Sequence, residues 1–255
     1  MPPRCVFRKH IIRLYKTKSI MTAKDILKEL KDYGNEQTKK TLMTHGAIEP
    51  LYGVKVADLK KILKKTKKSH ELSLELYATG NSDAMYLAGL MADEKQITKD
   101  QLEDWVDKAY WSYLCEYVVP WVAAETEFGM ELGLKWIKSD RETVASGGWG
   151  TLAYYAAVND DEKLDTEVYI KLLDTVKNEI HSAQNRVRYT MNGFVIAVGQ
   201  YITALTGKTQ EVAIEIGKVS VDVGGTACKV PLAIDFIDKA IDKGRVGKKR
   251  KTARC

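Results

Sequence analysis

Residues 76–93 read LYATGNSDAMYLAGLMAD: the end of one helix, a polar break, and a second helix of small apolar residues. Residues 135–157 and 172–197 repeat the order of helix, polar break and small-residue apolar helix. A helix that carries almost no charge on any side is buried between neighbours. The sequence therefore predicts an α-α superhelix of stacked helix pairs, with an irregular helical domain as the alternative.

Helix starts and stops recur along the rest of the chain. Thr22 with Asp25, and Thr98 with Gln101, match the capping-box spacing, in which each side chain binds the backbone of the other residue. Ser69 and Ser82 are predicted to cap helices in the same way. Apolar periodicity and these signals predict about a dozen helices, at 23–33, 36–45, 56–65, 70–78, 83–92, 99–109, 112–123, 127–138, 143–158, 165–178, 184–205, 208–217 and 232–242.

Composition indicates a soluble globular protein. The 255 residues are 45% hydrophobic and 29% charged, and the four cysteines show no metal-ligand spacing. Scattered cysteines fit the reducing cytoplasm better than secretion, so we expect a cytoplasmic protein, and the sequence predicts no metal site. Residues 189–207 lack charges, but their amide and hydroxyl side chains favour a buried helix over a membrane span.

The net charge of +6 is unevenly distributed. Residues 1–20 and residues 244–255 each carry six cations and no acid, so residues 21–243 have a net charge of −6. We expect a disordered basic N-terminal extension (1–20), a helical-repeat domain (21–243) and a basic C-terminal tail (244–255). The extension is either a transit peptide or sequence upstream of a natural start at Met21.

Glu116 is the only charged residue in the segment 111–124, where Trp111, Tyr113 and Tyr117 surround it. Burying a lone carboxylate among aromatic rings is costly unless the charge is paired. Either a lysine, an arginine or a tyrosine hydroxyl of an adjacent helix pairs with it, or the carboxylate is held for chemistry. The sequence leaves both alternatives open. The neighbouring Cys115 has no histidine nearby to activate it and reads as a small buried residue.

The segment LKKILKKTKK (59–68) is strongly basic. Lysine is a point charge that suits phosphate contacts in any sequence, although an amphipathic helix also needs a solvated face. We predict a DNA-phosphate surface here, with Arg186 and Arg188 contributing from another helix. The predicted lysine set is Lys60, Lys61, Lys64, Lys65, Lys67 and Lys68.

Several segments resemble the DNA alkylation repair family, whose AlkD-like members are HEAT-like repeat glycosylases. They are YGVKVADLKKILKK (52–65), LYATGNSDAMYLAGLMAD (76–93), KWIKSD (135–140), NRVRYTMNGFVIAVGQY (185–201) and VGGTACKVPLA (223–233). The resemblance spans about residues 21–255. It implies a curved stack of paired helices that holds duplex DNA and excises N3- or N7-alkylated purines without a metal or cofactor.

The resemblance also implies a catalytic site of one carboxylate, two tryptophans and an arginine. The carboxylate falls at Glu116, or at Cys115 if the alignment shifts by one residue, and one tryptophan falls at Trp111. The second tryptophan falls at Phe194, and the arginine falls at Ser146, so a guanidinium is missing.

A fixed carboxylate would stabilise the positive charge that builds on the sugar, and aromatic faces such as Tyr113 and Phe194 would bind the substrate. We therefore predict a divergent, monomeric alkylpurine DNA glycosylase acting on double-stranded DNA, with Glu116 and Trp111 as catalytic residues. The alternative is a non-catalytic HEAT-like module that binds nucleic acid or protein.

Overall fold

The structure, a computed structural model, describes residues 21–255. The predictions for residues 1–20 lie outside the described residues. Thirteen α-helices and no strand are found between residues 21 and 255. They are α1 (Ala23–Asp32), α2 (Glu36–Thr44), α3 (Val56–Thr66), α4 (His70–Ala78), α5 (Ser82–Met91), α6 (Lys99–Lys108), α7 (Val119–Ala124), α8 (Gly129–Trp136), α9 (Glu142–Val158), α10 (Thr166–Glu179), α11 (Asn185–Tyr201), α12 (Thr206–Ile216) and α13 (Ala233–Asp242).

Most predicted helix boundaries agree with the structure to within two residues, and both capping boxes form. Two local predictions were wrong. Asn81, not Ser82, caps α5, because the Asn81 side chain accepts from the Ala84 amide. The helix predicted at 112–123 is a π-helix over Tyr113–Val118 that continues into α7.

The helices form two rows. In one row, which we call the second-helix row, α5, the π-helix with α7, α9, α11 and α13 pack one after the other. The other row contains α4, α8, α10 and α12, each packed against a member of the second-helix row. This is the predicted α-α superhelix. In the described part of the chain, no helix is both long and apolar enough to cross a membrane.

The basic tail, residues 244–255, packs along the ends of the second-helix row, and we call it the C-terminal strap. The Lys249 ammonium donates to the Tyr201 carbonyl at the end of α11 at 2.7 Å. The Arg250 amide donates to the Ala157 carbonyl near the end of α9 at 2.8 Å. The strap therefore joins successive repeats.

The end of the strap is attached to the body by Arg254, which is buried. Arg254 is only 7% exposed, and its Nη2 lies 3.1 Å from a carboxylate oxygen of Glu94 and 3.1 Å from one of Glu125. The Cys255 sulfur lies 3.2 Å from the Tyr86 hydroxyl on α5. Lys249 and Arg254 of the strap are therefore bound to the body of the protein.

Candidate functional site

The π-helix holds the carboxylate at the middle of the second-helix row. A π-helix is rare and occurs most often at functional sites, because its wider turn displaces side chains from their usual helical positions. Glycines of α9 face it: a Cβ on Gly147 would lie 3.1 Å from the Cys115 carbonyl, and one on Gly150 would lie 3.1 Å from the Glu116 carbonyl. The small residues of α9 thus allow its backbone to approach the π-helix closely.

Glu116 is paired with Arg186, which lies near the start of α11. The Arg186 Nε donates to Oε1 of the carboxylate at 2.6 Å, and Nη2 donates to Oε2 at 2.6 Å. The Glu116 side chain is 1% exposed and that of Arg186 is 25% exposed. Of the two alternatives for this carboxylate, the structure shows pairing with an arginine of another helix. Bidentate geometry makes this one of the strongest kinds of ion pair.

The electrostatics of the pair reflect its burial. Burial raises the pKa of the Glu116 carboxyl, and the hydrogen bonds from Arg186 oppose that rise. Burial acts to lower the pKa of the Arg186 guanidinium, but the hydrogen bonds and charge of Glu116 outweigh it, so this pKa is raised. The guanidinium also lies over the Tyr189 ring at 4.5 Å, and the Arg186 amide donates to Glu142 at 2.8 Å. The arginine is therefore fixed by three partners.

Trp111 and Tyr113 form an aromatic wall beside the pair. Their rings are stacked with centroids 4.6 Å apart, and the Trp111 indole N–H donates to the Ser82 hydroxyl at 3.0 Å. The Tyr113 ring meets the Tyr117 ring edge-on at 5.8 Å. Ser82 therefore positions Trp111 instead of capping a helix.

Two clefts flank the ion pair. The first, of about 400 Å³, we call the Trp111 cleft, and it is lined by residues that include His45, Trp111, Tyr113, Cys115, Arg186 and Asp222. The second, of about 220 Å³, we call the Tyr154 cleft, and it is lined by residues that include Glu116, Tyr154, Gly193, Ala197, Tyr201 and Arg250. Tyr117 and Tyr189 line both clefts. Arg186 thus faces one cleft and Glu116 the other.

Two of the candidate site residues, Phe194 and Cys115, are buried in the core. Phe194 is fully buried between Trp149 and Tyr169, with ring centroids at 5.1 and 5.8 Å, and it lines neither cleft. The prediction that Phe194 contacts substrate was wrong, because its position on α11 faces the core. Cys115 is buried, and burial raises the pKa of its thiol well above the usual range, which disfavours a thiolate nucleophile.

The prediction that the site lacks an arginine also needs correction. Ser146 is buried in α9 and carries no guanidinium, as the sequence shows. The structure nevertheless brings a guanidinium to the carboxylate, from Arg186, which the sequence indicated only as a phosphate contact. No periodicity links two residues that far apart, so the sequence contained no signal for this pair.

The six predicted phosphate lysines are all exposed, and none lines the two clefts. Four of them lie on α3, and Lys67 and Lys68 follow its end. Three of them form surface ion pairs: Lys61 with Asp58, Lys65 with Glu29 and Lys68 with Glu94. Within residues 21–255, Lys60, Lys64 and Lys67 have no ion pair. Arg188 is half-buried on α11, with its Nε enclosed and without a hydrogen-bond partner there.

The clefts offer no cluster of metal ligands. Among residues 21–255, no group of three or more His, Cys, Asp or Glu side chains is placed to hold a metal ion.

The fold and this site define a class, the helical-repeat proteins with a HEAT-like architecture. A family model described as DNA alkylation repair enzyme matches residues 26–207. That match covers more than half of the chain, so the protein belongs to the DNA alkylation repair family, which confirms the resemblance found in the sequence.

The sequences of two relatives are similar to this chain over most of its length. The uncharacterized protein Lmo0209 of Listeria monocytogenes is 37% identical over 218 residues, covering 83% of this chain and 94% of the relative. The uncharacterized protein Lin0241 of Listeria innocua is 36% identical with the same coverage.

A solved structure is also similar to this chain, with a TM-score of 0.85 and 36% identity over 92% of this chain and all of the other. It is described as representing a new family of proteins related to the HEAT-like repeat DNA glycosylases with affinity for branched DNA structures.

Proposed function

We propose that this protein binds branched DNA as a monomer and does not excise bases. The observation that carries the proposal is the Glu116–Arg186 pair. Both carboxylate oxygens are engaged at 2.6 Å and the side chain is 1% exposed. A carboxylate whose charge is already compensated adds little to the stabilisation of a cationic sugar.

The other predicted catalytic groups support the same view. Phe194 is in the core, and burial raises the pKa of the Cys115 thiol. Trp111 is fixed by Ser82 and stacked on Tyr113. A wall of this kind can still pack against a sugar or a base without contributing chemistry.

Binding to DNA is supported by surface charge and by the relatives. Lys60, Lys64 and Lys67 are exposed cations without an ion pair in the part of the chain that the structure describes, and they suit phosphate contacts. The similar structure, 36% identical, is described as having affinity for branched DNA. A superhelix with several clefts along one row fits a branched substrate, since each cleft can meet a different arm or the junction itself.

The test compares a four-way junction with a linear duplex of the same length and sequence composition, by fluorescence anisotropy at fixed ionic strength. We expect the junction to bind at least about tenfold more tightly, and both affinities to fall with added salt because phosphate contacts release counterions. Equal affinity for the two DNAs, or no binding to either, would contradict the proposal. Light scattering of the purified protein checks the monomer.

Excision of alkylated purines is the second candidate, and one observation favours it. The Glu116–Arg186 pair lies between the two clefts and Trp111 lines one of them, so three of the four groups that the family resemblance implies are present at this site. If DNA drew Arg186 to a phosphate, Glu116 would be free to stabilise positive charge at the sugar.

This candidate is tested by base release from duplex DNA containing N7-methylguanine. Release that is lost in Glu116→Gln but kept in Lys61→Met, a variant of a surface ion pair, would establish glycosylase activity. Because Glu116→Gln also weakens the fold, Trp111→Phe serves as a second variant, and it should slow release while the protein remains folded. Absence of release by a wild-type protein that binds the junction supports the non-catalytic proposal.

A further inference from the structure

A third cleft, of about 430 Å³, lies at the C-terminal end of the second-helix row. We call it the Phe236 cleft. The residues that line it include Tyr201, Phe236, Lys239, Lys243, Arg245 and Lys248. Four of these are cations and none of the lining residues is acidic. Since Tyr201 also lines the Tyr154 cleft, the two clefts adjoin each other.

The four cations are exposed, and none of them forms an ion pair within residues 21–255. The carboxylates of α13, Asp235, Asp238 and Asp242, do not line the cleft and form no ion pair with its cations. A group of like charges without counterions raises the local potential and attracts anions.

Phe236 distinguishes this cleft from an ordinary basic surface. Phe236 is 46% exposed, and it is one of the few large apolar side chains at the surface of residues 21–255. An exposed aromatic ring beside several cations is the combination by which proteins bind single strands, because the ring stacks on a base while the cations contact phosphates.

The backbone around the cleft is held in place before any ligand arrives. The Gln200 side-chain amide donates to the Phe236 carbonyl at 3.0 Å, and the Gln200 carbonyl accepts from the Gly247 amide at 2.9 Å. Gly244 and Gly247 have φ values of 56° and 74°, in the left-handed region that favours glycine. These contacts fix the start of the C-terminal strap, and with it Arg245 and Lys248, against α13 and α11.

We propose that the Phe236 cleft binds a short single-stranded segment of DNA. Phe236 stacks on an unpaired base, and Lys239, Lys243, Arg245 and Lys248 contact the phosphates on either side of it. The inference rests on the proposed DNA binding and deepens it, since branch points with single-stranded arms or gaps expose unpaired bases. A fully paired duplex offers phosphates but no free base face, so it uses only part of this cleft.

The experiment uses the full chain and fluorescein-labelled oligothymidylate of twelve nucleotides, titrated by anisotropy at several salt concentrations. Phe236→Ala should weaken binding about tenfold, the loss expected for one stacked base. Lys239→Gln/Lys243→Gln should weaken it by a similar factor and reduce the slope of log K against log salt by about 1.4, from two lost contacts to a single strand.

The matched control is Lys24→Gln/Lys28→Gln, which removes two exposed cations of α1, outside the cleft, and should leave oligothymidylate affinity unchanged. Far-ultraviolet circular dichroism and thermal midpoints confirm that each variant is folded. A junction with fully paired arms is titrated in parallel, and Phe236→Ala should change its affinity less than twofold.

The outcomes separate this inference from the proposed function. Junction binding without oligothymidylate binding overturns the single-strand site alone, as does oligothymidylate binding that Phe236→Ala leaves unchanged. Absence of binding to both DNAs overturns both proposals. Polyglutamate is added as a competitor at the same concentration of charge. If it displaces oligothymidylate, the cleft binds an acidic protein partner, and the single-strand site is also overturned.

Discussion

Arg186 donates two hydrogen bonds of 2.6 Å to the carboxylate of Glu116, seventy positions earlier in the chain. The pair connects the π-helix with α11 and lies between the Trp111 and Tyr154 clefts. The pair therefore connects the walls of the two clefts. Because Arg186 compensates the charge of Glu116, the pair also determines how much negative charge the site can offer to a substrate.

Replacing Glu116 by Gln should destabilise the fold by about 3 kcal/mol, because the guanidinium of Arg186 keeps its charge but loses its counterion. The measurement is the free energy of unfolding in urea. Lys61→Met breaks the exposed pair with Asp58 and should cost far less, since surface pairs contribute little. Equal losses in the two variants would show that the buried pair has no special structural role.

Two glycine substitutions in helices should change stability in opposite directions. A Cβ on Gly148 of α9 would lie 2.5 Å from the Ile137 backbone nitrogen, so Gly148→Ala should cost about 2 kcal/mol through overpacking. A Cβ on Gly193 of α11 would meet nothing within 4 Å, so Gly193→Ala should gain up to about 1 kcal/mol from helix propensity. Thermal unfolding of both variants checks the prediction, and a stabilised Gly148→Ala would contradict it.

Alkaline pH should weaken the fold in part through Tyr154. Burial raises the pKa of Tyr154 to about 12, above the ordinary value of 10. Between these values the folded state keeps a proton that the unfolded state has lost, so stability falls as pH rises. The contribution of this residue is on the order of 2–3 kcal/mol.

Tyr154→Phe should therefore show a shallower loss of unfolding free energy between neutral pH and pH 12 than the wild type. Other buried tyrosines also titrate late, so part of the loss remains. Identical pH profiles for the two proteins would contradict the assigned role of Tyr154.

The C-terminal strap should open when its buried cation is removed. Arg254→Ala leaves Glu94 and Glu125 without this partner, which should cost about 3 kcal/mol of local stability and accelerate tryptic cleavage after Lys251 about 100-fold. Mass spectrometry of timed digests gives the rate. Lys251→Gln, added to Arg254→Ala, removes the cleavage site and so identifies the released fragment. A rate of tryptic cleavage in Arg254→Ala equal to that of the wild type would mean that other contacts hold the strap.

The sequence predicted the helices well because the signals for helices are local. A capping box such as Thr98 with Gln101 spans four residues, and an apolar stripe recurs every three or four residues. The prediction for Ser82 was wrong because a distant partner replaced a local one. Serine can cap a helix, but the Ser82 hydroxyl accepts a hydrogen bond from the Trp111 indole instead. The π-helix escaped prediction because its apolar residues also fit an α-helix.

By itself the sequence determined an all-helical repeat fold, its family and the isolation of one carboxylate among aromatic rings. Only the tertiary structure decided that Arg186 pairs with Glu116, that Phe194 faces the core, and that Arg254 reaches Glu94 from 160 residues away. The physical reason is range: caps and periodicity act within one helical turn, whereas a buried charge takes its partner from whichever helix the packing brings beside it.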